Sequence, residues 1–326
     1  MQQNDAAIKA LCASANLVCK TIEWLPQSGG DRLYARVQTD RDAFIATLSD
    51  NISENNTFLQ WAQTLSSLHI SVPNIIAVNE HKTAYLQQDL GTICLLDFVL
   101  KGGFTEQAFA YYKKVLAQLV QIQILGHQKI DYSLCLAAKR FDYKAALFDL
   151  NYFLQYYVST TSIVYNEKLL QAEFEQLAKN IDNISPQGFM YRDLQGRNIM
   201  VQDADVFFID FQGGMQGPPQ YDVASLLYQA KANLPNQWRE DLLRYYINEY
   251  CKLSTIDTAK FEKDYYNIVL MRLLQVLGAY GRRGIIEGKQ HFLASIPFGI
   301  ANVKEYASQQ QLQNRMPLLA EIIAQL

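Results

Sequence analysis

The stretch FMYRDLQGRNIMVQDADVFFIDFQGG, running from Phe189 to Gly214, constrains the fold more than any other part of the chain. Two apolar runs, IMV (199–201) and VFFI (206–209), flank the polar turn QDAD (202–205). Short apolar runs around a polar turn predict a β-hairpin. Pairing Ile199 with Ile209 and Val201 with Phe207 keeps register and sets Asn198 across from Asp210. An amide oxygen and a carboxylate then meet at one end of the hairpin. Mg²⁺ takes such hard-oxygen pairs and keeps its other positions for water and phosphate. Asp193 stands on the loop just before, within reach of whatever that metal holds. There it can orient a hydroxyl and accept its proton. The spacing builds a base and a metal clamp around one transferable phosphoryl group.

The rest of the chain divides around this segment. With 326 residues it is too long for one small domain and suits two lobes. TIEWL (21–25), LYARVQ (33–38), AFIATL (43–48), IIAV (75–78) and TAYLQQ (83–88) read as five strands. Residues 53–68 read as a helix, capped by Asn51 or Ser53, with Phe58, Trp61, Leu65 and Leu68 at helical spacing. From about residue 105 the pattern is helical, with candidates at 105–126, 140–158, 166–180, 222–232, 236–251, 259–279 and 300–308. The reading is an α+β fold, with a small β-rich lobe over 1–90, a linker near 89–97 and a large helical lobe over 91–326.

Composition excludes several classes. A net charge of −3 with scattered Lys and Arg argues against a dedicated nucleic-acid binder. The five cysteines, at 12, 19, 94, 135 and 251, form no CxxC pair, so a structural zinc site is not expected. Free thiols fit a reducing cytoplasm. No apolar run has bilayer-spanning length, and the start MQQNDAAIKALCASA does not read as a signal peptide. The expectation is a soluble, cytoplasmic protein.

YRDLQGRN and IDFQGG resemble the D-x-x-x-x-N catalytic loop and the D-F-G of the protein-kinase-like fold. Tyr191 replaces the usual loop histidine, and Gln212 replaces the last glycine of D-F-G. GPPQYDVASLLYQA (217–230) follows at once. The twelve residues from Asp210 to Asp222 leave no room for a peptide-docking segment, so a small acceptor is implied. Together these motifs resemble the aminoglycoside phosphotransferase/choline kinase superfamily. More narrowly they are similar to the bacterial anomeric kinases of N-acetylmuramate and N-acetylglucosamine in cell-wall recycling. That likeness extends loosely to SGGDRLYARV, ENNTFLQWA and QQDLG, and beyond 235 little aligns. The resemblance implies a bilobal kinase-like fold with ATP and Mg²⁺ in the cleft. Asp193 would be the base, and Asn198 and Asp210 would hold metal. The implied acceptor is the anomeric hydroxyl of an amino sugar, and no nucleic-acid, membrane or protein partner is implied. Kinases of aminoglycoside, choline-like or homoserine-like alcohols, and a silent binding protein on the same scaffold, remain as alternatives.

In the small lobe, Ser28, Gly29 and Gly30 of SGGDR lie between the first two strands, as a phosphate-binding loop or a simple hairpin turn. Glu54 falls on the buried stripe of its helix and so needs a basic partner or a backbone bond. In the kinase fold it would hold a phosphate-binding lysine, but AFIATL has none, with Ala46 or Thr47 near that position. The nearest substitutes are Arg32 and Arg36. Arg36 shares a strand face with Tyr34 and Gln38, either cleft-facing or solvated. Gln88, Asp89 and Leu90 would form the hinge and offer main-chain atoms to adenine. For the acceptor, the aromatic stripe Phe148, Tyr152, Tyr156 with Asp149 is one candidate, against a preferred core-packing role. Arg272, Gln275, Arg282 and Arg283 are another, against preferred solvation near a helix C-terminus. Asp222 is read as a brace for the catalytic loop or a helix cap.

Overall fold

The computed structural model describes residues 2–26 and 31–326, so Ser28, Gly29 and Gly30 lie outside the described residues. Five antiparallel strands, β1 (Cys19–Trp24), β2 (Leu33–Thr39), β3 (Ala43–Leu48), β4 (Ile75–Val78) and β5 (Ala84–Gln88), form one sheet in the order β1-β2-β3-β5-β4. Alternation gives this sheet two faces. Ala35, Val37, Ala46, Leu48, Ala84 and Leu86 pack on one side against Ile8, Leu11 and Cys12 of helix α1 (Gln2–Ser14). Sequence reading missed α1. Its buried residues keep helical spacing, but they sit among alanines that blur the apolar stripe. Tyr34, Arg36, Ile45, Tyr85 and Gln87 project from the other face into a cleft.

Helix α2 (Ile52–Ser67) begins at Asn51, whose Oδ1 accepts from the Glu54 amide at 3.1 Å. That is ordinary N-capping, and it fixes where Glu54 starts its turn. Phe58, Trp61 and Leu65 of α2 join the larger core with the helices that follow. Those are α3 (Leu95–Gly102), α4 (Glu106–Gln121) and the helices Tyr143–Tyr156, Glu167–Asp182, Gln220–Leu227, Asn236–Leu253, Thr258–Tyr280, Ile296–Gln309 and Pro317–Gln325. Helix α3 overlaps only the end of the expected linker, at residues 95–97. Thr258–Tyr280 is the central rod, packing on Tyr143–Tyr156 and Gln220–Leu227. Among the described residues no helix is long and apolar enough to cross a membrane.

Two small ladders interrupt the helices: β6 (Gly188–Met190) with β9 (Met215–Gly217), and β7 (Ile199–Gln202) with β8 (Asp205–Phe208). The hairpin forms, but one residue off the expected register: Ile199 pairs with Phe208, Met200 with Phe207 and Val201 with Val206. The cause is the turn. It has two residues, Asp203 and Ala204, with φ of 50° and 65°. Two-residue hairpin turns with both residues left-handed match the twist of the strands, so the four-residue QDAD turn was too long. The slip puts Ile199, Val206 and Phe208 together in the core.

Candidate active site

The loop from β6 to β7 carries Asp193, and its backbone is held from beneath. Asp222, at the start of helix Gln220–Leu227, accepts the Tyr191 amide at 2.8 Å and the Arg192 amide at 3.0 Å. It therefore braces the loop. Burial pushes its carboxyl up to about 7, against the pull of those amides. Arg192 has φ of 77°, a left-handed conformation costing about 1–3 kcal/mol that only surrounding structure sustains. Its guanidinium bonds Asp149 at 3.0 Å and lies 5.2 Å from the Tyr221 ring centroid. Asp149 is thus buried in an ion pair and does not face an acceptor, contrary to one expectation. Tyr191, in the place of the loop histidine, is fully buried and donates its hydroxyl to the Ile209 carbonyl. That bond ties the loop carrying Asp193 to the residue before Asp210.

Asn198 and Asp210 meet despite the register slip. The Ile209 amide donates to the Asn198 carbonyl at 3.1 Å, carrying the ladder one step past the strands. Asn198 Nδ2 then lies 2.9 Å from the Asp193 carbonyl and 3.4 Å from Asp210 Oδ2. Asp210 opens onto the cleft, yet protein encloses its carboxyl on most sides. That desolvation raises the carboxyl above its ordinary value, while the Gln212 amide and the charges of Arg197 and Arg32 oppose the rise. Asp193 is partly exposed, with Arg197 at 2.8 Å on one oxygen and Arg272 at 3.9 Å from the other.

Gln212 was noted in sequence only as a departure from D-F-G. Here its Nε2 donates to Asp210 Oδ1 at 2.8 Å and to Glu54 Oε1 at 3.2 Å, joining the two walls. Glu54 Oε1 also stands 3.2 Å from Arg32 Nη2. Glu54 therefore has a basic partner, though not a lysine. Gly214, the second glycine after Gln212, is needed for space, since a Cβ there would lie 2.3 Å from the Phe189 ring.

Arg36 does face the cleft, but it is already engaged. Its Nε lies 2.6 Å from Asp89 Oδ2, and its Nη2 reaches Asp89 Oδ1 at 3.2 Å and the Gly91 carbonyl at 3.1 Å. The side chain at position 89 therefore matters, where the sequence reading gave the hinge main-chain importance only. Gln88, Asp89 and Leu90 all line the cleft.

The cleft encloses about 1340 Å³ between the sheet and the helices. Beyond Asp193 its lining turns basic, with Arg197, Lys231, Arg272, Arg283, Lys289 and His291. Partial burial, then the charges of Lys231, Arg197, Lys289 and Arg283, hold the His291 imidazole below its ordinary value. Arg272 is buried in the wall, donating through Nη2 to Ser225 Oγ at 3.0 Å and through Nη1 to Gln275 Oε1, and so is not the solvated residue expected. An arginine inside the apolar run MRLLQVL was the available signal. Arg282 is exposed, as expected. Phe148 is 65% exposed and Tyr152 lines the cleft, so the aromatic stripe is not core packing throughout. Among the described residues no three His, Cys, Asp or Glu side chains gather as a metal cluster. The donors suited to a hard cation are the Asp210 carboxylate and the Asn198 amide oxygen, enough for an ion that takes its remaining ligands from phosphate and water.

Residues 26–259 match the model of the family described as phosphotransferase enzyme family. An N-acetylmuramate/N-acetylglucosamine kinase of Pseudomonas aeruginosa is 25% identical over 277 residues, covering 82% of this chain and 78% of that protein. In fold, the chain is similar to a putative aminoglycoside phosphotransferase from Ralstonia eutropha (TM-score 0.65, 12% identity, 94% of this chain and 98% of that one). It is also similar to the amicoumacin kinase hAmiN, solved with AMP-PNP, Ca²⁺ and its ligand Ami (TM-score 0.60, 13% identity, 94% of this chain and 96% of that one).

Proposed function

This chain belongs to the phosphotransferase enzyme family, and from that premise we propose that it transfers the γ-phosphoryl group of ATP to a hydroxyl of a small molecule. The preferred acceptor is the anomeric hydroxyl of an N-acetylated amino sugar, N-acetylmuramate or N-acetylglucosamine. Residues 1–90 supply the nucleotide side and 91–326 the catalytic and acceptor side. Asp193 orients the hydroxyl and takes its proton. Asn198 and Asp210 would hold Mg²⁺, which supplies charge neutralisation on the phosphate oxygens. Their chemistry fits that ion: hard oxygens, on a carboxyl whose desolvation a cation would relieve. Tyr191, Arg192 and Asp222 fix the loop so that Asp193 needs little reorganisation.

The observation that carries the acceptor reading is the basic end of the cleft. Arg197, Lys231, Arg272, Arg283 and Lys289 gather beyond Asp193. A cationic alcohol such as choline or an aminoglycoside would meet like charge there. A neutral N-acetyl sugar or a sugar acid would not, and these are the substrates in the relative's name. A kinase of free amino sugars that draws on ATP would act in the cytoplasm, in cell-wall recycling.

The test is turnover with ATP and Mg²⁺ on N-acetylmuramate, N-acetylglucosamine, choline and an aminoglycoside. The expected product is an acid-labile sugar phosphate, formed only from sugars with a free reducing end. Equal reaction of sugars blocked at that end would remove the anomeric assignment, and faster turnover of choline would remove the acceptor class.

A further inference from the structure

We infer that Arg32, entering from the start of β2, holds the nucleotide phosphates in place of a lysine on β3. The inference rests on the kinase reading and adds the residue that the sequence left unidentified. Thr47 pairs across the strands with Tyr34, so the two share the cleft face of the sheet. Thr47 is fully buried and too short to reach a phosphate. Two residues before Tyr34, Arg32 continues the same face and lines the cleft.

Arg32 is poised as an anion site. The residue is 9% exposed, and its Nε is buried without a hydrogen-bond partner among the described residues. Nη2 is near Glu54 Oε1, at 3.2 Å, as an ion pair. The guanidinium carbon lies 5.8 Å from the Phe58 ring centroid, which limits its swing. A desolvated guanidinium with an unused N–H in a cleft is set to take an oxyanion, and its fork suits two phosphate oxygens at once.

The surrounding bonds support a phosphate in particular. Glu54 Oε1 is shared between Arg32 and Gln212, each at 3.2 Å, and Gln212 reaches Asp210 at 2.8 Å. Arg32, Glu54, Gln212 and Asp210 therefore form one polar bridge between the cleft walls. The residue that takes phosphate oxygens is positioned relative to the residue that would hold the metal on those oxygens. Gln212, where D-F-G has glycine, completes that bridge. An arginine arriving from β2 makes a different approach from a lysine on β3, and the extra amide holds the carboxylates around it.

The test is equilibrium titration of the full chain with ATP, ADP and adenosine, in Mg²⁺ and without acceptor. Arg32→Ala should weaken ATP and ADP binding at least about tenfold, the loss of a charge-assisted contact. Adenosine binding should stay unchanged, which also shows that the variant is folded. Arg32→Lys should fall between. Adding Thr47→Lys to Arg32→Ala should recover most of the lost ATP affinity. Unaltered ATP affinity in Arg32→Ala, or equal losses for ATP and adenosine, would overturn the assignment alone. Failure of Thr47→Lys to recover affinity would overturn the exchange of positions. No ATP binding by the unchanged protein would overturn the kinase reading and Arg32 with it.

Discussion

The two walls of the cleft treat their carboxylates differently. On the sheet side two acids are matched by arginines at or just before β2: Glu54 by Arg32 at 3.2 Å and Asp89 by Arg36 at 2.6 Å. On the helical side Asp210 is met by amides, Gln212 at 2.8 Å and Asn198 at 3.4 Å, and Asp193 shares its arginines with solvent. At these two pairs the sheet wall sets acid against base within itself. The helical wall keeps negative charge in a desolvated place, which only a cation or a proton relieves. Chemistry that takes a proton from a hydroxyl and binds a metal belongs on the second wall.

The largest effect should come from that wall. Asp193→Asn keeps the size and the neighbours of the carboxylate but removes its basicity. Turnover should fall by about two to four orders of magnitude, while ATP affinity measured by titration changes little. A variant that turns over like the unchanged protein would take Asp193 out of the chemistry and erase the contrast between the walls.

A second effect should appear in stability. Asp222 is fully buried and its carboxyl is raised to about 7. A folded value above the unfolded one means that the folded state holds its proton more tightly. Its stabilising contribution is then complete below about pH 4 and is lost as pH rises through about 7. The loss is at most about 4 kcal/mol, at roughly 1.4 kcal/mol for each pKa unit. Asp222→Asn removes this titration. Denaturant unfolding of both proteins from pH 4 to 8 should therefore show the unchanged chain losing ground to the variant as pH rises. Parallel curves would mean that the backbone amides of Tyr191 and Arg192 already hold an ionised carboxylate, as firmly as arginine does on the sheet wall.

Legibility in sequence follows the same division. The helical wall's polar residues sit close together in one segment, so local spacing sufficed to place Asp193, Asn198 and Asp210 near one another. A one-residue error of register did not matter, because the ladder continues through Ile209 to Asn198. The five strands were legible by alternation and their turns. Helix α1 was not, since alanines dilute its stripe. The sheet wall depends on pairs distant in sequence, Arg32 with Glu54 and Arg36 with Asp89. No spacing rule reveals which arginine meets which acid, because strand order and side-chain reach decide it. Arg272 belongs to the same class, as its relation to Asp193 exists only once the helix Thr258–Tyr280 lies beside the loop from β6 to β7.

The smallest effect should come from Arg36, and it separates the two arginines of the sheet wall. Both project toward the cleft, so position alone does not distinguish them. Their partners do. Arg36 spends Nε and Nη2 on both oxygens of Asp89, and Nη2 also reaches the Gly91 carbonyl. Nε and Nη2 are thus taken up, and the side chain ties the segment after β5 to β2. Removing it leaves the partly buried Asp89 carboxylate without its main counter-charge, at a cost of about 1–3 kcal/mol in stability. Nucleotide affinity should fall less than about tenfold, the effect of a loosened hinge rather than of a lost phosphate contact. Adenosine and ATP should weaken together in Arg36→Ala, whereas ATP alone should weaken in Arg32→Ala. If Arg36→Ala instead lost ATP selectively, the ion pair with Asp89 would have to open on nucleotide binding. The sheet wall would then be no more neutral in the working enzyme than the helical one.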